Sequence, residues 1–445
     1  MSKVWFGYWF KSWSVIYKIC YAIVRTGMRT YFKRYELHNF ENLPKDSGLL
    51  FAANHQNAFL DPIILAAHLK KPVYFLTRAD IFKKKLANKI LRKVHMLPIF
   101  RQRDGVDTAE KNKGTFSQCH DILNNKEHVL IFPEGNHNYK KHLRTPLKKG
   151  ISRIALGAAE KYNFNIKLYV IPLGIDYSNH FNMNAEMLSI VGKPIDVSDY
   201  YESYQNNPTE TINNLNKDIA TQLKSVMIDI KDQENYQSIY NLLHRFPIQS
   251  KKKPVSEKVA FQKKVLEKID SLKSNNIDQF NKLLINIETL FNTTKKHKLR
   301  AYLFNKIEQD KMSSKALGVS MLLILFFPLH CVGLISNYIP YKIPVWFVNS
   351  KVKDIHFHSS LKLATGVVCF AIYWALLLLL VVLLFGWKMG LYYTISLPFL
   401  AFLNWKYWLN LIKTSGRIQF KRLDKRGELK EAHESFNAIN KQLGL

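Results

Sequence analysis

The chain has 445 residues and a formal net charge of +31, from 65 Lys and Arg against 34 Asp and Glu. That length is too great for one compact core and points to two or three regions. The charge calls for an anionic partner, whether nucleic acid, an anionic membrane face or a phosphorylated substrate, but long uncharged apolar runs near the C-terminus have no role in a soluble nucleic-acid binder, so the membrane is favoured and nucleic acid is not expected.

Residues 1–35 mix aromatics (Trp5, Phe6, Tyr8, Trp9, Phe10, Trp13, Tyr17) with spaced cations (Lys3, Lys11, Lys18, Arg25, Arg29). Rings favour the headgroup boundary and cations favour anionic lipid, so interfacial amphipathic helices are expected; the plainer reading is a helix packed on the domain that follows. MSKVWFGYWF has no continuous apolar core before a small-residue cleavage site and does not read as a removable signal peptide.

Residues 36–204 alternate short apolar runs with longer amphipathic stretches. The runs at 49–54, 72–77, 94–100, 127–133, 168–174 and 188–192 are rich in Val, Ile, Leu and aromatics and read as buried strands. Between them, AFLDPIILAAHL, FKKKLANKILRK, TAEKNKGTFSQCHDILNN and LKKGISRIALGAAEKYN repeat apolar residues at helical spacing. The pattern predicts an α/β domain with a largely parallel sheet flanked by helices, and a ligand site near the carboxyl ends of its strands.

Residues 205–315 lose the strand signal and become lysine-rich and helix-compatible, with a break at FPIQSKKKPVSE, which reads as a helical arm or linker. Residues 316–412 form a membrane region. Its clearest part is 363–387, uncharged over a length that spans the ~30 Å hydrocarbon core. Residues 389–405 reach spanning length if the helix continues past Lys406, so 363–387 and 389–410 are expected to form a hairpin. The run 317–337 carries Pro328 and His330 at its middle and can span or re-enter; a re-entrant run keeps the basic tail, 413–445, and the catalytic domain together on the cytoplasmic face. Cys20, Cys119, Cys331 and Cys369 are scattered without ligand-like spacing, so neither a disulfide framework nor a metal site is expected.

Four blocks within the α/β region carry chemistry: AANHQNAFLDP with Asn54, His55 and Asp61; LPIFRQRDG with Arg101 and Arg103; IFPEGNH with Glu134 and Gly135; and YVIPLGID with Pro172. A histidine beyond a strand end can take a proton from a substrate hydroxyl if a carboxylate holds its other ring nitrogen, and Asp61 is the nearby carboxylate. No G-x-S-x-G motif or suitably placed Cys suggests a covalent acyl-enzyme. Arg101 and Arg103 offer forked donors suited to phosphate, or form a solvated basic turn. Gly135 permits an unusual backbone turn and Glu134 can accept from a substrate hydroxyl, or the segment is a plain β-turn. The fourth block can equally be a core strand.

Taken in this order, the blocks resemble the glycerophospholipid acyltransferase superfamily over about residues 35–200. The resemblance implies a membrane-bound enzyme of phospholipid biosynthesis that moves a fatty acyl group from acyl-CoA or acyl-carrier protein, as co-substrate, to the hydroxyl of glycerol-3-phosphate or 1-acylglycerol-3-phosphate, with no cofactor. It makes His55 the general base, Asp61 its orienting partner, and Asn54, Arg101, Arg103, Glu134, Gly135 and Pro172 substrate-binding residues. One departure stands out: the family spacing is His-x4-Asp, whereas five residues separate His55 from Asp61. An extra residue turns a helical side chain by about 100°, so a bulged loop or a later helix start is required for contact. In its extended first block and its C-terminal apolar segments the chain resembles the glycerol-3-phosphate/dihydroxyacetone-phosphate acyltransferase branch, which shifts the expected acceptor towards the first acylation step, with lysophosphatidate close behind. The competing reading is a catalytically inert lipid-binding or scaffold protein of the same fold.

Overall fold

The computed structural model describes residues 15–445 apart from 59, 70, 102–106, 181–183, 248–252 and 354–356. The chain divides into two compact units, one ending at Asp229 and the other running Ile230–Leu445.

In the first unit the elements are α1 (Val15–Tyr31), β1 (Arg34–His38), β2 (Gly48–Ala53), α2 (Leu60–Ala66), β3 (Val73–Arg78), α3 (Lys85–Lys93), β4 (Met96–Ile99), α4 (Thr108–Asn124), β5 (His128–Ile131), α5 (Gly150–Lys161), β6 (Leu168–Tyr177), β7 (Glu186–Val191), β8 (Ile195–Asp196), α6 (Tyr201–Asn206) and α7 (Pro208–Val226). The strands form one eight-stranded sheet in the order β1-β7-β6-β2-β5-β3-β4, with β8 beside β6. All pairings are parallel except β6 with β7 and β6 with β8. Every residue of β2 is buried, which is why GLLFAA reads as an unbroken apolar run: helices cover both faces of a parallel sheet. The edge strand β1 has no such run, and its RYELH is half-buried throughout, so the sequence does not announce it.

This unit extends past the expected boundary at 204. Asn207 caps α7 by accepting the Glu210 N–H, Pro208 occupies its first turn, and Leu215, Ile219 and Leu223 enter the sheet's core. The helix α1 also packs inward, with Tyr17, Tyr21 and Met28 buried and Tyr17 stacked on His95. For these residues the plainer expectation, a helix packed on the domain, describes what is seen; the rest of the expected interfacial segment, residues 1–14, lies outside the described residues.

The second unit comprises α8 (Tyr236–Arg245), α9 (Val255–Asn275), α10 (Ile277–Lys296), α11 (Lys306–Asp310), α12 (Met312–Leu325), α13 (Phe327–Lys351), α14 (His358–Phe385), α15 (Trp387–Lys425) and α16 (Lys430–Leu443). The tail is part of the packing: α16 buries Ala432, Phe436 and Ile439, and Phe436 stacks on Phe246 at 4.8 Å. Among the described residues, Leu361–Phe385 is the helix long and apolar enough to cross a bilayer, and none of it is buried. The pair α12 and α13 bends by 66°, a broken span or a re-entrant loop. Pro328 explains the break, since it lacks the N–H that would continue α12 yet fits the first turn of α13. Gly386, at φ +82°, turns α14 into α15. The 39-residue α15 is apolar in its first part and basic towards its end, where Arg417, Lys421, Arg422 and Lys425 lie.

Candidate active site

The strands β2 and β5 end nearly in register, with Ala52 opposite Ile131 and, on its other side, Pro172, while β6 runs on to Tyr177. Their carboxyl ends define one edge of the sheet, and the loop leaving β2 carries His55. Its Nδ1 lies 2.9 Å from Asp61 Oδ2. The ring stacks on Phe132 at 3.8 Å and an interplanar angle of 15°, which restrains its rotation. His55 retains 13% side-chain exposure whereas Asp61 has none. Among the described residues Nε2 makes no hydrogen bond, and the side chain is partly exposed.

The extra residue between His55 and Asp61 is absorbed by the loop. Asn57 accepts the Leu60 N–H through its side chain and caps α2. The chain before it curls over the Asp61 carboxylate, whose Oδ2 also accepts the N–H groups of Gln56 (2.7 Å) and Asn57 (2.8 Å). Tyr177, at the end of β6, donates its hydroxyl to Oδ1 at 2.6 Å. Four donors therefore fix the carboxylate, and it can neither rotate from the histidine nor reach water.

Glu134 is a buried brace. Its Oε1 accepts the His55 N–H at 3.0 Å and its Oε2 the Arg144 N–H at 3.2 Å, so both oxygens are engaged by backbone donors. Burial pushes its carboxyl up from the usual range, and the two N–H donors pull against that shift. Gly135 holds φ +71° in the turn closed by its N–H to Phe132 O, and remains exposed at the rim. Arg101 follows β4, whose exit is clamped by Asn112: its amide accepts from Phe100 N and donates to Phe100 O, each at 2.9 Å. Arg103 lies outside the described residues. Asn54 and Pro172 are both buried. Asn54 gives both ends of its amide to Ile175, at 2.9 and 2.7 Å, and is 1% exposed; Pro172 is buried within β6. Both residues expected to touch substrate are buried, and Asn54 ties the end of β2 to β6.

Sequence reasoning did not identify Tyr177, Asn57 or Lys141. Tyr177 continues the fourth block to the edge where ligand sites lie, the one signal that could have found it. Lys141 is wholly buried, paired with Asp176 and donating to Tyr177 O at 2.9 Å, so it supports the strand end that carries the tyrosine. Burial pushes its ammonium down and Asp176 pulls it back up. No group of three or more His, Cys, Asp or Glu is placed to hold a metal ion among the described residues.

Residues 34–176 match a protein family described as acyltransferase. The chain is 33% identical over 134 residues to glycerol-3-phosphate O-acyltransferase 2 of Saccharomyces cerevisiae, covering 30% of this chain and 17% of that protein. It is 26% identical over 170 residues to the 1-acyl-sn-glycerol-3-phosphate acyltransferase of Bacillus subtilis, covering 37% of this chain and 75% of that one. The chain thus spans under a fifth of the length of its yeast relative. Among solved structures, the 1-acyl-sn-glycerophosphate acyltransferase of Thermotoga maritima overlaps 47% of this chain and 78% of its own at 16% identity, with a TM-score of 0.35.

Proposed function

We propose, from the match of residues 34–176 to the acyltransferase family, that this chain is a membrane-bound glycerolipid O-acyltransferase. It moves a fatty acyl group from acyl-CoA or acyl-carrier protein to a hydroxyl of glycerol-3-phosphate or its 1-acyl form. The observation that carries the reading is the 2.9 Å contact between His55 Nδ1 and the buried Asp61 carboxylate, on a ring that stays partly exposed.

In this mechanism Nε2 takes the acceptor hydroxyl's proton as the oxygen attacks the thioester carbonyl. The resulting imidazolium forms beside Asp61, whose charge is held in place by four donors. When the tetrahedral adduct collapses, the C–S bond breaks and Nε2 returns the proton to the departing sulfur. Arg101, with Arg103, binds the acceptor phosphate. The ends of β2 and β4 are three strands apart, roughly 14 Å at ~4.8 Å per strand, so an extended arginine and the glycerophosphate backbone must bridge that span together. The yeast relative's name points to glycerol-3-phosphate as acceptor and the Bacillus relative's to the 1-acyl form. The apolar helix Leu361–Phe385 supports a membrane anchor, with the catalytic unit on the cytoplasmic face.

His55→Ala is expected to lower acyl transfer by on the order of 10²–10⁴ while leaving the protein in the membrane fraction. Retained turnover in the folded variant overturns the mechanism. Assays with glycerol-3-phosphate, dihydroxyacetone phosphate and lysophosphatidate, each with both thioester donors, select the acceptor and donor.

A further inference from the structure

Along the second unit, α12 and the C-terminal half of α15 enclose two adjoining clefts. The first, of about 510 Å³, is lined by Arg417, Lys421, Arg422 and Lys425 from α15 and by the small residues Ser313 and Ala316 from α12. The second, of about 760 Å³, has walls of Leu323, Ile324, Phe327, Tyr407 and Leu411. Ser320, Ile418 and Arg422 belong to both, so the two form one slot with a cationic end and an apolar end.

The charge at the first end is uncompensated. Neither lining contains an Asp or Glu, and among the described residues none of the four cations makes an ion pair. Lys421 donates to the neutral Ser313 hydroxyl at 2.7 Å. The nearby acids are engaged elsewhere, Asp424 by His433 at 2.9 Å and Glu428 by Arg426 at 3.8 Å. Arg417, Lys421 and Lys425 stand at i, i+4 and i+8, one stripe of a helix, where like charges repel unless an anion sits among them. The stripe follows the apolar part of α15, where headgroup phosphates meet a helix leaving the bilayer.

We propose that this slot binds an anionic phospholipid, its phosphate among Arg417, Lys421, Arg422 and Lys425 and one acyl chain laid along Leu323, Ile324, Phe327 and Leu411. A free inorganic anion would satisfy the cations but leave the apolar end unused, and a zwitterionic lipid would bring its own ammonium to a site already rich in positive charge. The slot lies within the second unit, and the proposal is independent of the acyl-transfer reading.

The test uses the purified full-length chain in detergent, titrated with phosphatidate, phosphatidylcholine and inorganic phosphate, with bound lipid counted by non-denaturing mass spectrometry. Phosphatidate is expected to bind about tenfold more tightly than phosphatidylcholine, and the pair Arg417→Gln/Arg422→Gln to remove about that preference. Arg417→Lys/Arg422→Lys keeps most of it, which separates lost charge from misfolding. Ser320→Trp, which fills the junction of the two clefts, weakens phosphatidate without affecting phosphate. Lys388→Gln, on the same helix but outside both clefts, leaves the preference intact. Equal binding of the two lipids, or a preference that survives the glutamine pair, overturns the proposal. Full competition by phosphate with Ser320→Trp harmless identifies an anion site in place of a lipid site.

Discussion

Replacing Asp61 with Asn removes one charge and almost no shape. The amide oxygen can take the place of Oδ2 before the donors on Gln56, Asn57 and His55, and the NH2 group faces the Tyr177 hydroxyl, which can rotate to accept. The Tyr177 hydroxyl proton loses its acceptor, but no backbone donor is stranded and no cavity opens. What weakens is the charge assistance, since a bond to an ionised group contributes about 1.5–3 kcal/mol against about 0.5–1.5 for a neutral one. The catalytic unit should lose roughly 1–3 kcal/mol, a fall of several degrees in its unfolding temperature. Catalysis should lose more, because the imidazolium forming at His55 no longer has a counter-charge beside it; about 10³–10⁴ in kcat is expected, or roughly 4–5.5 kcal/mol. Asp61→Ala is less informative, since it strands two backbone N–H groups and a tyrosine hydroxyl in a fully buried site at about 1–3 kcal/mol each and threatens the fold itself. Thiol release from acyl-CoA with glycerol-3-phosphate as acceptor, beside thermal unfolding of the same preparation, gives both quantities. A folded Asp61→Asn protein whose kcat stays within about tenfold of the parent refutes Asp61 as the partner of the base.

Lys141→Met leaves Asp176 as an unpaired buried carboxylate and should cost about 3–5 kcal/mol in urea unfolding, with Asp176→Asn added to it recovering part of the loss; a single variant within about 1 kcal/mol of the parent contradicts the pairing argument. Gly135→Ala places a side chain at φ +71° and its Cβ 3.0 Å from Lys148 Cγ, so a loss of about 1–2 kcal/mol is expected, less for Asn, and calorimetry showing no difference between Gly and Ala would discard the strain. Burial pushes His128 down from 6.5 to about 4, so the unfolded chain takes up the proton first. Its contribution is complete above pH 6.5 and is lost as pH falls towards 4, at most roughly 3 kcal/mol. His128→Phe should flatten the acid side of the stability profile, and an unchanged slope would show that other groups set it.

Much of the fold was legible because it rests on buried strands. Six apolar runs marked β2 to β7, since strands covered on both faces are written as unbroken Val, Ile, Leu and aromatic stretches. The half-buried β1 and the two-residue β8 carry no such signal, and β7 lies antiparallel to β6, a pairing that alternation of elements does not announce. The boundary at 204 fell short because α7 looks like any charged helix until Leu215, Ile219 and Leu223 are found in the sheet's core. Of the site, the contact between His55 and Asp61 was anticipated on the condition of a bulged loop or a later helix start, and the Asn57 cap is how the chain meets that condition.

The sequence by itself determined where chemistry can occur, because each block follows an apolar run and parallel strands deliver their carboxyl ends to one edge. It could not assign duties within those blocks. Glu134 and Asn54 stand in their blocks as free polar groups suited to a substrate, yet the folded chain engages both oxygens of the one and both ends of the other with backbone partners. Ile175, which binds Asn54, is 121 positions away along the chain, and Tyr177, which completes the Asp61 cradle, is 116 positions away. A buried polar atom must find a partner, and which partner it finds depends on what distant segment packs over it. Only tertiary structure therefore decided that the His55 ring stays partly exposed while Asp61, Glu134 and Asn54 hold its loop in place.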